Sequence, residues 1–305
     1  MTFHIGVDLG GTKIKVEALS PQGEGLFSIE EPTPRHDYAL SLQTIAKLVV
    51  LTETELGGRL APVGIGMPGS IVPTTGLVQN ANSTWLNGKN FQQDISTLLT
   101  RDVRLANDAN CFALSEAVDG AAAGAASVFG VIMGTGVGGG LVLDGQIVNG
   151  PRSIGGEWGH CSLPFPERED FEQAHSCWCG QRGCIESWLS GPGMLSHYNE
   201  RHQARLQRVE ALVDLAEAGG EQALAHFERH ALQTAKALSM VVNIVDPEVI
   251  VLGGGLSQLG HLYSDLPTLM QPFIFSDDAR PVDIRPPKFG ATSGVRGAAR
   301  LWPFK

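Results

Sequence analysis

The feature that most constrains this chain is a pattern that occurs twice: an apolar strand, a turn of glycine and threonine, and a returning strand. Residues 6–16 read GVDLGGTKIKV, and residues 130–140 read GVIMGTGVGGG. Each turn leads into another strand-like segment instead of a helix, which argues against a dinucleotide-binding fingerprint. The chain also lacks the G-x-x-x-x-G-K-[ST] sequence of a P-loop. The repetition therefore predicts an α/β protein with a duplicated domain, in which a hairpin opens each half.

Alternating and helical apolar patterns place further elements around the two hairpins. We predict helices at 38–56, 109–117, 221–243 and 294–302, and further strands at 25–29, 63–67, 103–106 and 248–252. Asp119-Gly120 and the alanine–glycine stretch after them indicate a domain boundary near residue 118. Glu116 and Asp119, which lie at this boundary, are assigned to a solvated helix end.

Charge narrows the classes of partner that the protein can have. The chain has 22 basic and 32 acidic residues, a net charge of −10, and 43% hydrophobic residues. This acidic balance argues against nucleic acid or an anionic membrane as a partner. The N-terminal sequence MTFHIGVDLGG has neither a basic region nor a long apolar segment. We therefore expect no signal peptide and no membrane anchor, and a cytoplasmic protein.

The glycine turns carry the first chemistry, because only glycine lets the backbone N–H groups approach phosphate oxygens closely. The first turn offers an acid for Mg²⁺, a hydroxyl and a cation, and its residues are Asp8, Gly10, Gly11, Thr12 and Lys13. The second turn contains Gly134, Thr135, Gly136 and Gly138, and a third run consists of Gly253, Gly254 and Gly255. The plainer alternative is that each is only a tight turn. Together they favour a nucleotide clamp made of two hairpins, with the third run beside adenine or ribose.

Three of the five cysteines, Cys177, Cys179 and Cys184, lie within eight residues of sequence. Three thiolates at this spacing can hold one tetrahedral ion, and zinc fits them best in a cytosolic protein. A fourth ligand must come from nearby, and spacing alone leaves His175 and Cys161 open. The alternative is a loop of three reduced cysteines. Cys111 is predicted to be an ordinary buried thiol.

Seven motifs, in order along the chain, resemble the ROK family of sugar kinases and repressors. They are DLGGTK at 8–13, MPG at 67–69, LANDAN at 105–110, GTGVGGG at 134–140, GEWGH at 156–160, CWCGQRGCIE at 177–186 and VLGGG at 251–255. The resemblance implies a two-domain actin-like ATPase fold with a cleft between the domains. The small domain would span 1–118, completed by the last helix at 291–305, and the large domain would span 119–290 and carry the zinc loop and the dimer interface. An ATP-dependent, Mg²⁺-using homodimer that acts on a hexose is implied as well.

The expected substrate depends on two short segments within that resemblance. NANSTWLNG at 80–88 is similar to fructokinases and mannokinases, so D-fructose is the first expectation, with fructose 6-phosphate as the product. NDANCFALSE at 107–116 is similar to N-acetylglucosamine kinases as well, so such a kinase, or a broad hexokinase, is the alternative. Trp85 is expected to close the space that an N-acetyl group needs.

The resemblance also implies roles for individual residues. Asp108 is the expected general base for phosphoryl transfer, although its position alone equally suits a cap for the following helix. The residues expected to bind the sugar are Asn82, Asn107, Asp108, Glu157, His160 and Glu186. The family supplies His160 as the fourth zinc ligand, and four protein ligands make a closed, structural site.

Three other functions compete with a kinase. Glu157 and Glu186 could form the carboxylate pair of a glycosidase, but that reading leaves the glycine turns and the cysteines unexplained. A sugar-sensing repressor needs a DNA-binding segment ahead of the first strand, for which we expect no room. A catalytically inactive sugar-binding module is opposed by four intact residues: Asp8, Thr12, Thr135 and Asp108.

Overall fold

The computed structural model describes residues 2–304. The strands are β1 (His4–Leu9), β2 (Lys13–Leu19), β3 (Gly25–Pro32), β4 (Val63–Met67), β5 (Ser70–Ile71), β6 (Val78–Gln79), β7 (Val103–Asn107), β8 (Ser127–Met133), β9 (Val137–Leu143), β10 (Gln146–Ile147), β11 (Val249–Gly253) and β12 (Ile284–Arg285). The α-helices are α1 (Tyr38–Glu55), α2 (Phe91–Leu99), α3 (Asp108–Val118), α4 (Arg168–Glu172), α5 (Ile185–Leu189), α6 (Gly191–His202), α7 (Val209–Glu217), α8 (Glu221–Val245), α9 (His261–Leu269) and α10 (Ser293–Arg300). Across residues 2–304, none of these helices combines the length and the apolar composition that a membrane span requires.

The limits of these elements follow from local chemistry. Helix α1 begins after Asp37, whose side chain accepts a hydrogen bond from the Leu40 backbone N–H at 2.9 Å. Helix α8 ends at Asp246, which has left-handed backbone angles and precedes Pro247, a residue that cannot continue a helix. The four helices predicted from the sequence are all present, within two residues at each end, as α1, α3, α8 and α10.

The chain forms two compact units. The first contains the chain up to Ala126, Gly140–Gly156 and the chain from Lys288, and the second contains Ser127–Gly139 and Glu157–Pro287. The limits predicted from the sequence differ from these units chiefly at 140–156, which groups with the first unit. The domain limits of 1–118 with 291–305, and of 119–290, stay a prediction.

The first unit is built on a five-stranded sheet in the order β3-β2-β1-β4-β7. Strand β1 pairs antiparallel with β2 and parallel with β4, and β4 pairs parallel with β7. Because β1, β4 and β7 run in the same direction, their carboxyl ends lie at one edge of the sheet. Two predicted site residues, Asp8 and Asp108, lie at or just after these ends, as does Gly69 of the MPG motif.

The second five-stranded sheet has the order β10-β9-β8-β11-β12. Strands β8, β11 and β12 pair in parallel, and β9 pairs antiparallel with β10. Three sequential strands followed by two parallel ones is also the order of the first sheet. The repeated hairpin thus belongs to a repeated sheet, as the duplication predicted from the sequence requires. Strand β9 runs from the second unit into the first.

Glu116 and Asp119 do not form a solvated helix end, so that prediction was wrong. Glu116 is fully buried, and its carboxylate accepts hydrogen bonds from Ser293 Oγ at 2.6 Å and from the Lys288 backbone N–H at 3.0 Å. Asp119 accepts from Arg300 at 2.5 Å. These partners lie in or beside α10, more than 170 residues further along the chain, and local sequence gives no sign of them. The two acids attach α10 to the end of α3 within the first unit.

Candidate functional site

The first glycine turn, which joins β1 to β2, is held by residues of its own unit. The Gly10 backbone N–H donates to the Lys13 carbonyl at 3.0 Å, and Thr33 Oγ1 donates to the Gly10 carbonyl at 2.7 Å. Arg35 Nε donates to the Gly11 carbonyl at 2.8 Å. Lys13, the cation predicted for this turn, extends toward β3, where its ammonium pairs with Glu30 at 2.7 Å. Arg35 is therefore a cation held at this turn. Sequence reasoning missed it because Arg35 lies outside the glycine motif.

Two carboxylates lie at the same edge of the first sheet. Loss of solvation, and then the charge of Asp108, raise the pKa of Asp8 to about 6. The protein around Asp108 reduces its solvation and so raises its pKa, while a hydrogen bond from the Ala109 backbone N–H lowers it. Because the Asp108 side chain still reaches solvent, the rise in its pKa is moderated. Two neighbouring carboxylates whose charged forms are disfavoured suit a divalent cation or a transferred proton.

Asn107, and not Asp108, is the N-cap residue of α3. Its side-chain oxygen accepts from the Ala109 backbone N–H at 2.8 Å, and its amide nitrogen donates to the Gly69 carbonyl at 3.2 Å. The capping role that competed with catalysis for Asp108 thus falls mainly to its neighbour. Asn110, one turn later, is buried and donates to Asn149 Oδ1 at 3.3 Å.

The segment at 80–88 forms a loop of the first unit that follows β6. Asn82 is exposed in this loop. Trp85 packs against the hydrophobic core of the first unit and makes an edge contact with the His36 ring, at 5.1 Å between centroids. Trp85 is therefore a core-packing residue.

The second glycine turn, between β8 and β9, is held by segments that carry predicted sugar ligands. The Val137 backbone N–H donates to Glu186 Oε2 at 2.9 Å. Trp158 Nε1, in the motif that contains Glu157 and His160, donates to the Gly138 carbonyl at 2.9 Å. A Cβ on Gly136 would lie only 2.7 Å from Glu186 Oε2, so a larger residue here would displace that carboxylate. Thr135 is exposed at the tip of the turn.

The third glycine run lies against the second turn. Gly254 has a φ of +79°, and a Cβ at this position would overlap the Met133 carbonyl. A Cβ on Gly134 would lie 3.9 Å from the Gly255 backbone nitrogen. Gly253 ends β11, which pairs in parallel with β8. Two of the three predicted nucleotide-binding turns therefore form one surface of the second unit.

Four predicted metal ligands come together in the second unit. The Nδ1 or Nε2 of one histidine and the Sγ atoms of three cysteines all lie within 4.8 Å of one another, and these residues are His160, Cys177, Cys179 and Cys184. Cys179 Sγ lies 3.6 Å from Cys184 Sγ, and Cys177 Sγ lies 3.6 Å from His160 Nδ1. A tetrahedral zinc ion with Zn–S bonds of about 2.3 Å places its sulfurs about 3.8 Å apart. The donor set and its spacing therefore fit zinc.

The cysteine loop, residues 175–186, also positions a carboxylate. Trp178, between the first two cysteines, donates its Nε1–H to Glu186 Oε1 at 2.7 Å. The Trp178 ring makes an edge contact with the His160 ring, at 4.9 Å between centroids. One tryptophan thus contacts two of the predicted sugar ligands. Sequence reasoning did not single out Trp178, because the C-x-C spacing places no demand on the residue between the cysteines.

The two local competitors for the fourth ligand lie outside this cluster. His175 Nε2 pairs with Glu200 Oε2 at 3.0 Å, and the His175 ring stacks on His197. Among the described residues, the metal-ligand cluster contains neither His175 nor Cys161. His160 is accordingly the ligand that the geometry favours.

Comparisons with known proteins agree on one family. The model of the ROK family matches residues 4–305. An N-acetyl-D-glucosamine kinase of Yersinia enterocolitica is 39% identical over 303 residues, covering 98% of this chain and 99% of its own. A second N-acetyl-D-glucosamine kinase, of Haemophilus influenzae, is 37% identical over 307 residues, covering 99% and 100%.

Solved structures extend the same comparison. A ROK hexokinase from Thermus thermophilus matches with a TM-score of 0.85 and 29% identity, covering 98% of this chain and 97% of its own. A ROK family glucokinase from Streptomyces griseus, in complex with glucose and AMPPNP, matches with a TM-score of 0.78 and 23% identity, covering 98% of both chains. The α/β fold of the actin-like ATPase type that the sequence predicted is confirmed.

Proposed function

The chain belongs to the ROK family, and on that premise we propose that this ATP-dependent sugar kinase phosphorylates N-acetyl-D-glucosamine. One observation carries the choice of sugar. Relatives named N-acetyl-D-glucosamine kinases match the chain from end to end at 37–39% identity. The resemblance of 80–88 to fructokinases covers nine residues of a single loop, and the comparisons do not support D-fructose. Trp85 is partly buried against the core of the first unit, so we infer that it does not exclude an acetyl group.

In the first unit, we assign the phosphate and proton chemistry to the sheet edge. Asp108 would accept the proton of the attacking sugar hydroxyl, for which its raised pKa and its exposed side chain suit it. Asp8 would hold Mg²⁺, which neutralises phosphate charge when bound, through an intervening water. Backbone N–H groups of Gly10, Gly11 and Thr12 would bind ATP phosphates, and Arg35 is the cation that supports this turn.

In the second unit, we assign sugar recognition to the residues around the cysteine loop. Glu157, His160 and Glu186 would bind sugar hydroxyls. Zinc on the three cysteines and His160 Nδ1 would fix the His160 tautomer, so that Nε2 carries a proton and can donate. In this assignment zinc orders the site and takes no part in the chemistry. Gly134, Thr135, Gly136, Gly138 and Gly253–Gly255 would contact the nucleotide.

A coupled assay of ADP production tests the proposal. We expect kcat/KM for N-acetyl-D-glucosamine to exceed that for glucose, mannose and fructose by at least about tenfold. A highest kcat/KM for fructose would restore the first expectation and contradict the proposal, while leaving the kinase assignment intact. The homodimer implied by the family stays a prediction, which sedimentation velocity would check.

A further inference from the structure

Three aromatic rings stack across the base of the cysteine loop. His197, on α6, lies between His175 and Trp188, with ring centroids 4.0 Å and 4.1 Å away and the planes within 7° and 6° of parallel. His175 precedes Cys177 by two residues, and Trp188 follows Glu186 by two residues. The stack therefore joins the segment that enters the loop to the segment that leaves it.

Hydrogen bonds close the loop at the same level. The Gly183 backbone N–H donates to the His175 carbonyl at 2.9 Å, and the Cys177 N–H donates to the Gln181 carbonyl at 2.8 Å. Glu200, one turn after His197, holds His175 Nε2 at 3.0 Å. Helix α6 thus contacts both ends of the loop.

We propose that His197 is a positioning residue for the sugar site: by stacking between His175 and Trp188, it fixes the cysteine loop and so aims His160 and Glu186. Trp188 is almost fully buried, so its ring cannot shift toward His175 without leaving the core. Removal of the His197 ring leaves a gap between two planar groups, and the ends of the loop lose their common support. Burial lowers the pKa of His197 to about 3, which keeps the ring neutral in the stack at ordinary pH.

The inference rests on the proposed function for its link to sugar binding, so the experiment needs one readout that is independent of activity. Amide hydrogen exchange at Gly183 and Cys177 reports directly on closure of the loop. Michaelis constants for N-acetyl-D-glucosamine and for ATP, measured on the zinc-loaded enzyme, report on the site.

Three variants separate positioning from general stability. His197→Ala removes the ring, and His197→Phe keeps a planar ring in the stack. His226→Ala is the matched control, because His226 is also buried in the second unit and bonds the Met194 carbonyl, without a ring contact to His175 or Trp188. Should His197→Ala fail to fold, His197→Leu replaces it, since leucine fills the gap without a planar ring.

We expect His197→Ala to raise exchange at Gly183 and the sugar KM by at least about tenfold each, with the ATP KM within about twofold. His197→Phe should stay near the native enzyme in both. Equal effects of His226→Ala, or unchanged Gly183 exchange in His197→Ala, would overturn the inference. A native enzyme that is inactive on N-acetyl-D-glucosamine contradicts the proposed function instead, and the exchange data still decide the role of His197.

Discussion

The two glycine turns have the same strand–turn–strand plan, yet different side chains surround them. The first turn, at Gly10–Lys13, lies at a sheet edge that carries Asp8 and Asp108. The second turn, at Gly134–Gly138, has no carboxylate of its own strand at the corresponding position and instead donates a backbone N–H to Glu186 of the cysteine loop. The first turn is thus surrounded by groups that suit a metal and a proton, and the second by groups that suit a sugar.

In the proposed assignment, the two copies of the duplicated scaffold serve different functions. Both hairpins keep the glycines that backbone–phosphate contact needs. The neighbouring segments have diverged: Thr33 and Arg35 hold the carbonyls of the first turn, whereas Glu186 and Trp158 hold the second. We infer that changes near the first turn act mainly on kcat and ATP binding, and changes near the second act mainly on sugar affinity.

Asp108→Asn gives the largest expected effect. It removes the basic carboxylate at constant size, so we expect kcat to fall by about 10²–10⁴-fold with little change in the sugar KM. Steady-state kinetics on N-acetyl-D-glucosamine measure this, with Asp102→Asn, an exposed acid just before β7, as the control. A kcat near that of the native enzyme would remove Asp108 from the chemistry.

Glu186→Gln tests the other side of the comparison. The neutral amide weakens the hydrogen bond from Val137 and the proposed bond to sugar, and hydrogen bonds to charged groups are worth about 1.5–3 kcal/mol. We expect a rise in the sugar KM of about 10–100-fold, and a smaller change in the ATP KM. Glu172→Gln, on exposed α4, is the matched control. An ATP KM that rises as much as the sugar KM would show that Glu186 serves the nucleotide instead.

The sequence predicted some of the residues around the two glycine turns and missed others. Hydrophobic periodicity and glycine positions predicted β1, β4, β7 and α3. That Asp8 and Asp108 lie at one edge follows from the parallel pairing of the three strands, which local sequence does not show. Arg35 and Trp178 were missed, because they depend on how loops fold back onto the turns. Lys13 was assigned to phosphate, but its partner Glu30 is set by the register of β2 with β3.

Sequence spacing predicts some of the metal ligands, and the tertiary structure selects the rest. Cysteine spacing predicted three members of the cluster, while the residues alone left His160, His175 and Cys161 without a ranking. The fold separates them, since α6 supplies Glu200 and His197 to His175 and draws it away from the thiolates. Glu116 and Asp119 were misassigned for the same reason, because their partners come with α10.

Two buried histidines should make the stability of the second unit sensitive to acid. Burial lowers the pKa of His226 and of His230, both on α8 in the second unit, to about 4. The folded state therefore binds fewer protons than the unfolded state, and the stability present above pH 6.5 is lost as the pH falls toward 4. Between pH 7 and pH 5 we expect each histidine to cost about 2 kcal/mol of unfolding free energy.

Urea unfolding of the native protein and of His226→Gln, at both pH values, measures this loss. The variant should lose less stability on acidification than the native protein, by about one histidine's contribution. An identical loss in the two proteins would show that His226 does not resist protonation in the folded state.

The smallest effects are expected from alanine at one glycine of each turn. A Cβ on Gly136 would meet Glu186 Oε2 at 2.7 Å, whereas a Cβ on Gly11 meets nothing closer than Ser83 Oγ at 3.9 Å. We expect Gly136→Ala to raise the sugar KM several-fold by displacing Glu186. Gly11→Ala should leave the fold and the sugar KM unchanged and weaken ATP binding, because a methyl group in this turn crowds the backbone N–H groups assigned to phosphate. Titrations of both ligands by calorimetry compare the pair, and a reversed pattern would undo the assignment of the two turns.

The choice of N-acetyl-D-glucosamine as acceptor is tested most directly by competition. The enzyme is given equal concentrations of N-acetyl-D-glucosamine, glucose, mannose and fructose with limiting ATP, and the phosphorylated sugars are quantified by mass spectrometry after chromatographic separation. Because the sugars compete for the same enzyme, the product ratios equal the ratios of kcat/KM. We predict that phosphorylated N-acetyl-D-glucosamine makes up most of the product. A product dominated by fructose phosphate, or divided evenly among the unsubstituted hexoses, would contradict the account.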